Sequence, residues 1–381
     1  GQGSQFLAMG KELRDWSSLF LKTTDDCFDL AAKYLERDLR DVLYGVNGDI
    51  INDTYYTQPA IFIYEYALAK LLESFHVNAD SFIGHSVGEF VAATLNGVFS
   101  IEDAIKAICK RSELMSRLDR GAMVSIASTL DTIKDILPEQ IQVAAINAPN
   151  SIVVAGEFSA AQALEDNLVS KNIAFKRLHT SHAFHSSMMN PMIKEFEDFM
   201  STLSLNVPKR SFVSTVNGKF ESELFATPHY WANHVAATVK FHPAMETLFS
   251  TYSSELTLLE VGPRTTLSSL TKRIDKSISS ISISGRNFNQ EKNNFLKALA
   301  SLVTLGTSLS LDRFLTGPKN SLKALTKFKS TEHWLDINDN KGFKKMKTSS
   351  QAGLQKKIIE IFEDASGIDI SEYSPDTCFF E

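Results

Sequence analysis

The chain has 381 residues, 43% of them hydrophobic and 22% charged, with a formal net charge of −6. This is the composition of a globular protein with ample chain for a core and for two or three domains, and the mild negative charge argues against nucleic acid as a partner. Cys27, Cys109 and Cys378 lie far apart, which argues against a disulfide framework and fits a reducing compartment; with no secretory leader and no bilayer-spanning apolar run, a cytoplasmic protein without a membrane partner is expected.

The chain opens at Gly1-Gln2-Gly3-Ser4-Gln5 without an initiator Met and closes on Phe379-Phe380-Glu381. Both ends read as cut from something longer. A glycine-rich turn is followed by a helix carrying Met9, Leu13, Trp16 and Phe20 at helical spacing, and a second amphipathic helix is expected over residues 27–43. After a turn at Asn47-Gly48, Thr57-Gln58-Pro59-Ala60 opens a long apolar helix through Leu72, with Pro59 near the first turn, where its missing N–H costs little.

Ser81-Phe82-Ile83 is a short apolar strand candidate. Directly after it stands Gly84-His85-Ser86-Val87-Gly88, which leads into a helical stretch. Strand, sharp turn and helix is the context of a G-x-S-x-G nucleophile elbow. The glycines allow the turn and leave room around Ser86. At the helix N-terminus, free N–H groups can stabilise a developing oxyanion. An ordinary glycine turn with a bystander serine is the plain alternative, because the pentapeptide alone is a weak signal.

Ser100 is an N-cap candidate for a helix over 101–118, on which Arg111 rides beside Lys110. Such an arginine ordinarily points to solvent or pairs with a local acid. Residues 121–181 read as a compact inserted unit, with strands at 123–126, 142–146, 151–155 and 173–178 and helices at 130–137 and 159–170. The order β-α-β-β-α-β is the ferredoxin-like signature.

His179, His182 and His185 then recur at intervals of three. Zinc sites on a helix favour i, i+4 pairs, and no acid or cysteine completes a set, so no metal is expected. One of these histidines is instead a candidate base for Ser86. A helix at 190–205, strands at 211–216 and 256–261 and a helix from Thr266 resume the alternation of strands and helices. The large domain is therefore discontinuous and α/β, with a mainly parallel sheet. From about residue 315, lysines from Lys319 to Lys347 crowd a stretch of little apolar periodicity, which reads as an irregular linker with a solvated surface. Residues 354–362 are amphipathic again and begin a separate unit.

Several separated motifs together resemble the acyltransferase domain of modular type I polyketide synthases, a relative of malonyl-CoA:acyl-carrier-protein transacylases. They are GQGSQ, Thr57-Gln58-Pro59-Ala60, the GHSVGE elbow, Arg111, His182-Ala183-Phe184-His185-Ser186, Trp231-Ala232-Asn233 and Glu260-Val261-Gly262-Pro263. The resemblance covers roughly residues 1–295. It implies an α/β-hydrolase-like large domain over 1–118 and 182–295 and the ferredoxin-like unit over 119–181. A post-acyltransferase linker over 296–350 and the first part of an acyl carrier protein over 351–381 would follow. In the family a short strand ending in proline precedes GQGSQ, so that strand is expected to be missing from this chain.

The resemblance also implies roles. Ser86 is the expected acyl-accepting nucleophile and His185, not His182, the base. The backbone carbonyl of Asn233 is expected to orient His185, and Gln2 with the N–H of Val87 to form the oxyanion hole. Arg111 is expected to grip the malonyl carboxylate, with Phe184 and His182 as further substrate contacts. In the family, His-Ala-Phe-His resembles malonyl-selective and Tyr-Ala-Ser-His methylmalonyl-selective domains. One departure is Ala236-Ala237-Thr238, where relatives tend to have proline before Val-x-Phe.

The physical case runs the same way. Thioester exchange needs an activated hydroxyl, a base within reach and donors at the oxyanion. A dicarboxylic acyl group needs a cation, and a guanidinium can hold a carboxylate by two bonds. No bound cofactor is expected: malonyl-CoA is the substrate, and phosphopantetheine belongs to the partner carrier protein. The ketosynthase and other domains of the same synthase are the remaining expected partners. A hydrolase or thioesterase is the competing enzyme reading, although it has no use for Arg111. A degenerate docking module is the non-catalytic one.

Overall fold

The computed structural model describes residues 2–45, 48–252, 256–284 and 290–310. The first expected helix divides in two. Helix α1 (Lys11–Trp16) stops at Ser17, whose hydroxyl accepts the Phe20 N–H and caps α2 (Ser18–Ala31). The helix expected over 27–43 is the end of α2 plus a short α3 (Leu39–Tyr44), which Asp38 starts afresh by accepting the Arg40 N–H. Helix α4 (Thr54–Glu73) begins before its expected start, because Asp53 caps it through the Tyr55 N–H. Pro59 consequently lies inside the helix and not in its first turn. Ile61, Phe62, Ile63, Ala67 and Leu68 are all buried, so α4 is apolar around most of its circumference, as a core helix must be.

Strand β1 (Ser81–Ile83) runs into the elbow and α5 (Val87–Leu95). Helix α6 (Ile101–Ser116) starts where Ser100 accepts the Asp103 N–H. Both helices pack against α4.

The inserted unit comprises β2 (Ala122–Ile126), α7 (Leu130–Ile133), β3 (Ile141–Ala148), β4 (Ser151–Gly156), α8 (Phe158–Ser170) and β5 (Phe175–Arg177). Its strands form one antiparallel sheet in the order β3-β4-β2-β5, with the connectivity read from the sequence. Val124, Ile126, Ile152, Val154, Leu164 and Leu168 give it a core separate from the main one. Its entry and exit cross side by side: the Gly121 N–H donates to the Ser181 carbonyl at 3.2 Å.

The chain then returns to the main core through α9 (Asn190–Met200), β6 (Ser211–Val213), α10 (Pro228–His234), α11 (Phe241–Tyr252), β7 (Thr257–Glu260), α12 (Thr266–Ile274), β8 (Ser279–Ser282) and α13 (Glu291–Thr304). The expected parallel pairing appears as two pairs, β1 with β6 and β7 with β8, which do not hydrogen-bond to each other among the described residues. Helix α13 buries Phe295, Leu299 and Leu302, and Phe295 meets Trp16 and Phe75 with ring centroids 5.8 Å apart in both cases. The boundary expected after residue 295 therefore falls inside a core helix. The remainder of the expected linker beyond residue 310, and the carrier segment over 351–381, lie outside the described residues.

Candidate active site

The elbow is tight, but its strain is not carried where the glycines suggest. A Cβ on Gly84 would stand 2.2 Å from the Glu89 N atom, so only glycine fits where β1 meets the first turn of α5. Gly88 has ordinary room. The left-handed conformation belongs to Ser86 itself, with φ 54° and ψ −115° at the N-cap of α5. This pushes its side chain out of the turn and toward His185.

Ser86 Oγ lies 2.8 Å from His185 Nε2. His185 Nδ1 lies 2.9 Å from the Ala237 carbonyl. A carbonyl can only accept, so Nδ1 carries the proton and Nε2 offers its lone pair to the Ser86 hydroxyl. Burial holds His185 well below the usual imidazole range, and the neighbouring His234, Arg111 and His85 push in the same direction; the bond to Ala237 opposes them. His185 is thus neutral and able to accept a proton at pH 7. It too has a left-handed backbone, with φ 58°.

Asn233 does not orient this histidine. Its carbonyl accepts the N–H groups of Ala236 and Ala237 where α10 ends, so the available acceptor is displaced along the chain to Ala237. Nor, among the described residues, does a carboxylate reach Nδ1. Glu89 is fully buried, bonded to the Tyr230 and Thr215 hydroxyls, and lies 3.6 Å from His234 Nε2. The His234 ring stands between it and His185, 5.9 Å from the latter.

Arg111, 2% exposed, is turned inward and not toward solvent. Its Nη1 donates to the Gln58 side-chain carbonyl, and its Nη2 to Ser86 Oγ at 3.3 Å. Its Cζ lies 5.6 Å from the centre of the Phe90 ring, a cation–π contact. Burial alone lowers its pKa to about 9, which still leaves it charged at neutral pH. No carboxylate pairs with it among the described residues, and its Nε has no hydrogen-bond partner. A buried cation without an anion is costly. Beside the Ser86 hydroxyl, such a cation can receive an acid.

Phe184 is buried and lines the cleft of about 1270 Å³ into which Ser86, Val87, Arg111 and His185 open. Gln2 lines it too, and its amide donates to Thr54 Oγ1 at 2.9 Å. The Val87 N–H, first in α5, has no acceptor within the helix.

His182 is not among the residues that line the cleft. Its Nδ1 lies 2.7 Å from Ser181 Oγ and its Nε2 3.2 Å from the Leu118 carbonyl, so it ties the two crossings of the inserted unit together. Between them, His182 and His185 use all four ring nitrogens on protein partners.

Sequence reasoning missed three contributors. The Ala237 carbonyl leaves no side-chain signature. Gln58 stood in a quoted motif, yet only the fold brings it to Arg111. Asn147 on β3 meets His85 Nε2 at 2.9 Å, a contact across the inserted unit that no local spacing reveals.

Residues 1–310 match the family described as acyl transferase domain. The chain belongs to the acyl transferase domain family. Mycoketide-CoA synthase of Mycobacterium tuberculosis (strain ATCC 25618 / H37Rv) is 34% identical over 264 residues, which are 69% of this chain and 6% of that synthase. The polyketide synthase GfsA of Streptomyces halstedii is 36% identical over 279 residues, 71% of this chain and 4% of that one. The chain thus spans less than a tenth of either curated relative. Among solved acyltransferases, the domain from the second module of the salinomycin polyketide synthase superposes with a TM-score of 0.77 at 33% identity, covering 84% of this chain and 76% of that one. The acyl transferase domain of SpnD, solved in complex with 2-(pent-4-yn-1-yl)malonyl, gives 0.75 at 30%, covering 80% and 75%.

Proposed function

We propose that this acyltransferase takes a malonyl group from malonyl-CoA and delivers it, through an ester on Ser86, to the phosphopantetheine thiol of an acyl carrier protein. The observation that carries this reading is Arg111, a buried cation with no acidic partner among the described residues, 3.3 Å from the Ser86 hydroxyl. The malonyl derivative named for the SpnD domain supports a carboxylate-bearing acyl group.

In the first half-reaction His185 Nε2 takes the Ser86 proton as Oγ attacks the thioester carbonyl. The oxyanion is stabilised by the Val87 N–H and by Gln2. As the intermediate collapses, the C–S bond breaks and His185 returns the proton to the departing CoA sulfur. In the second, His185 takes the proton of the pantetheine thiol, whose sulfur attacks the ester carbonyl. The C–O bond then breaks and Ser86 is reprotonated. Ser86 and His185 form a dyad, with Ala237 holding the tautomer, and the reaction is ping-pong.

The inserted unit is read as ferredoxin-like from its β-α-β-β-α-β order, and the main unit as hydrolase-like. Residues 311–350 are proposed as linker and 351–381 as the start of the carrier, with the ketosynthase and other synthase domains as neighbours. Mass spectrometry after incubation with malonyl-CoA tests the function. A lasting malonyl adduct on Ser86 supports transfer, rapid release of free malonate supports a hydrolase, and no adduct from any acyl-CoA supports a docking module.

A further inference from the structure

The inserted unit and the catalytic base share a strand edge. In the order β3-β4-β2-β5, strand β3 has one edge not covered by β4. Along that edge runs the segment 237–240 of the main unit. The Val239 N–H donates to the Ala144 carbonyl and the Ile146 N–H to the Val239 carbonyl, both at 2.9 Å, and Ala145 and Val239 are bridged in parallel. On its other side, β3 slips register against β4 between Val143 and Ala145. Such bulges re-aim backbone groups, and here the Val143 carbonyl accepts the Thr238 hydroxyl at 2.7 Å.

Thr238 directly follows Ala237, whose carbonyl holds His185 Nδ1. We propose that Thr238 is a positioning residue: by fastening its hydroxyl to β3, it fixes the Ala237 carbonyl that aims His185 at Ser86. This rests on the acyl-transfer reading, in which His185 is the base. Thr238 does not line the catalytic cleft, so its effect must pass through Ala237 and His185.

The test compares the full chain with T238V, which keeps the shape and removes the hydroxyl, and with T238S, which keeps the hydroxyl. The rate of Ser86 acylation is followed against malonyl-CoA concentration and pH. A base misaimed by a fraction of an ångström lowers the acylation rate by ~10- to 100-fold, with KM changed less than twofold.

The pH profile separates aiming from general damage. The groups facing His185 are His234 on α10, Arg111 on α6 and His85 in the elbow, with Glu89 on α5 behind His234. The Ala237 carbonyl favours the protonated ring against them, so loosening it moves the acidic limb of T238V to lower pH. T238S should keep the rate and limb of the wild type. If T238V does not fold, T238A takes its place.

A hydroxyl-free variant with wild-type rate and limb overturns the proposal, as does one that alters KM alone. A wild type that acylates normally beside such a variant fails this inference only. A wild type that accepts no acyl group fails the transferase reading itself.

Discussion

The Nη2 of Arg111 lies 3.3 Å from the Oγ of Ser86, while no acidic side chain among the described residues neutralises it. Arg111→Ala should therefore weaken malonyl-CoA far more than acetyl-CoA. A buried charge-assisted bond contributes ~1.5–3 kcal/mol, or ~10- to 100-fold in kcat/KM. Arg111→Lys keeps the charge but loses the planar fork, and should fall between the two. Equal losses on malonyl- and acetyl-CoA would count against a carboxylate-binding role.

Ser86→Ala should abolish acyl-enzyme formation, and His185→Ala should slow it by orders of magnitude. His182→Ala should behave differently. Its bonds to Ser181 and Leu118 brace the root of the inserted unit, so melting temperature should drop while most of the acylation rate survives. Intact-mass kinetics and thermal melts on the three variants separate the effects. A His182 variant that melts normally but does not acylate would reverse the assignment.

The ordinary pKa of histidine is near 6.5, and burial pushes His85 down to about 4 and His185 well below that ordinary value. For activity, the base stays unprotonated as pH falls through 6.5, so the acylation rate should hold level from pH 7 into the mildly acidic range. For stability the sign is opposite to that of a paired histidine. Between pH 6.5 and about 4 the unfolded chain binds a proton at position 85 that the folded chain refuses. The stability contribution of His85 should thus fall by ~3 kcal/mol as pH drops through that window, while Glu65 and Glu291, which burial raises to about 7, act in the opposite direction. Denaturant midpoints of the wild type and His85→Gln from pH 7 to pH 4 check this; a pH dependence left unchanged by the substitution contradicts it.

Phe184 lines the cleft next to the base. Its ring should occupy the space that an α-methyl group needs, at a cost of ~1–3 kcal/mol. In competition between malonyl- and methylmalonyl-CoA, the wild type should load malonyl in clear excess, and Phe184→Ser should lose much of that bias. A wild type that loads both equally would remove the extender assignment and leave the transferase intact.

What the sequence made legible was side-chain chemistry in a fixed local frame. The elbow around Ser86, the strand before it and the helix after it are contiguous, so propensity and turn chemistry suffice. The family resemblance, not residue type, singles out His185 from three candidate histidines and gives Arg111 an inward role. The order of strands in the inserted unit follows from alternation alone. Legibility ended where a backbone atom or a cap decides. Nothing in Ala237 marks its carbonyl, and Asn233, implied by the family resemblance, gives no sign before folding that its own carbonyl closes α10. His182 shares the spacing of His185, yet its ring nitrogens meet Ser181 and Leu118. Ser17 and Asp38 each break a continuous apolar periodicity with a single hydrogen bond, which periodicity does not register.

The paired left-handed conformations at Ser86 and His185 set activity against durability. Each non-glycine residue with a strained backbone carries ~1–3 kcal/mol that the surrounding fold must hold in place. Glycine at either position would relieve that cost, so Ser86→Gly should melt above Ser86→Ala, and both should be inert. A thermostability screen that ignored turnover would therefore erode the reactive pair early. In the proposed transfer reaction, the reactive pair is what these two residues gain from an unfavourable part of the backbone map.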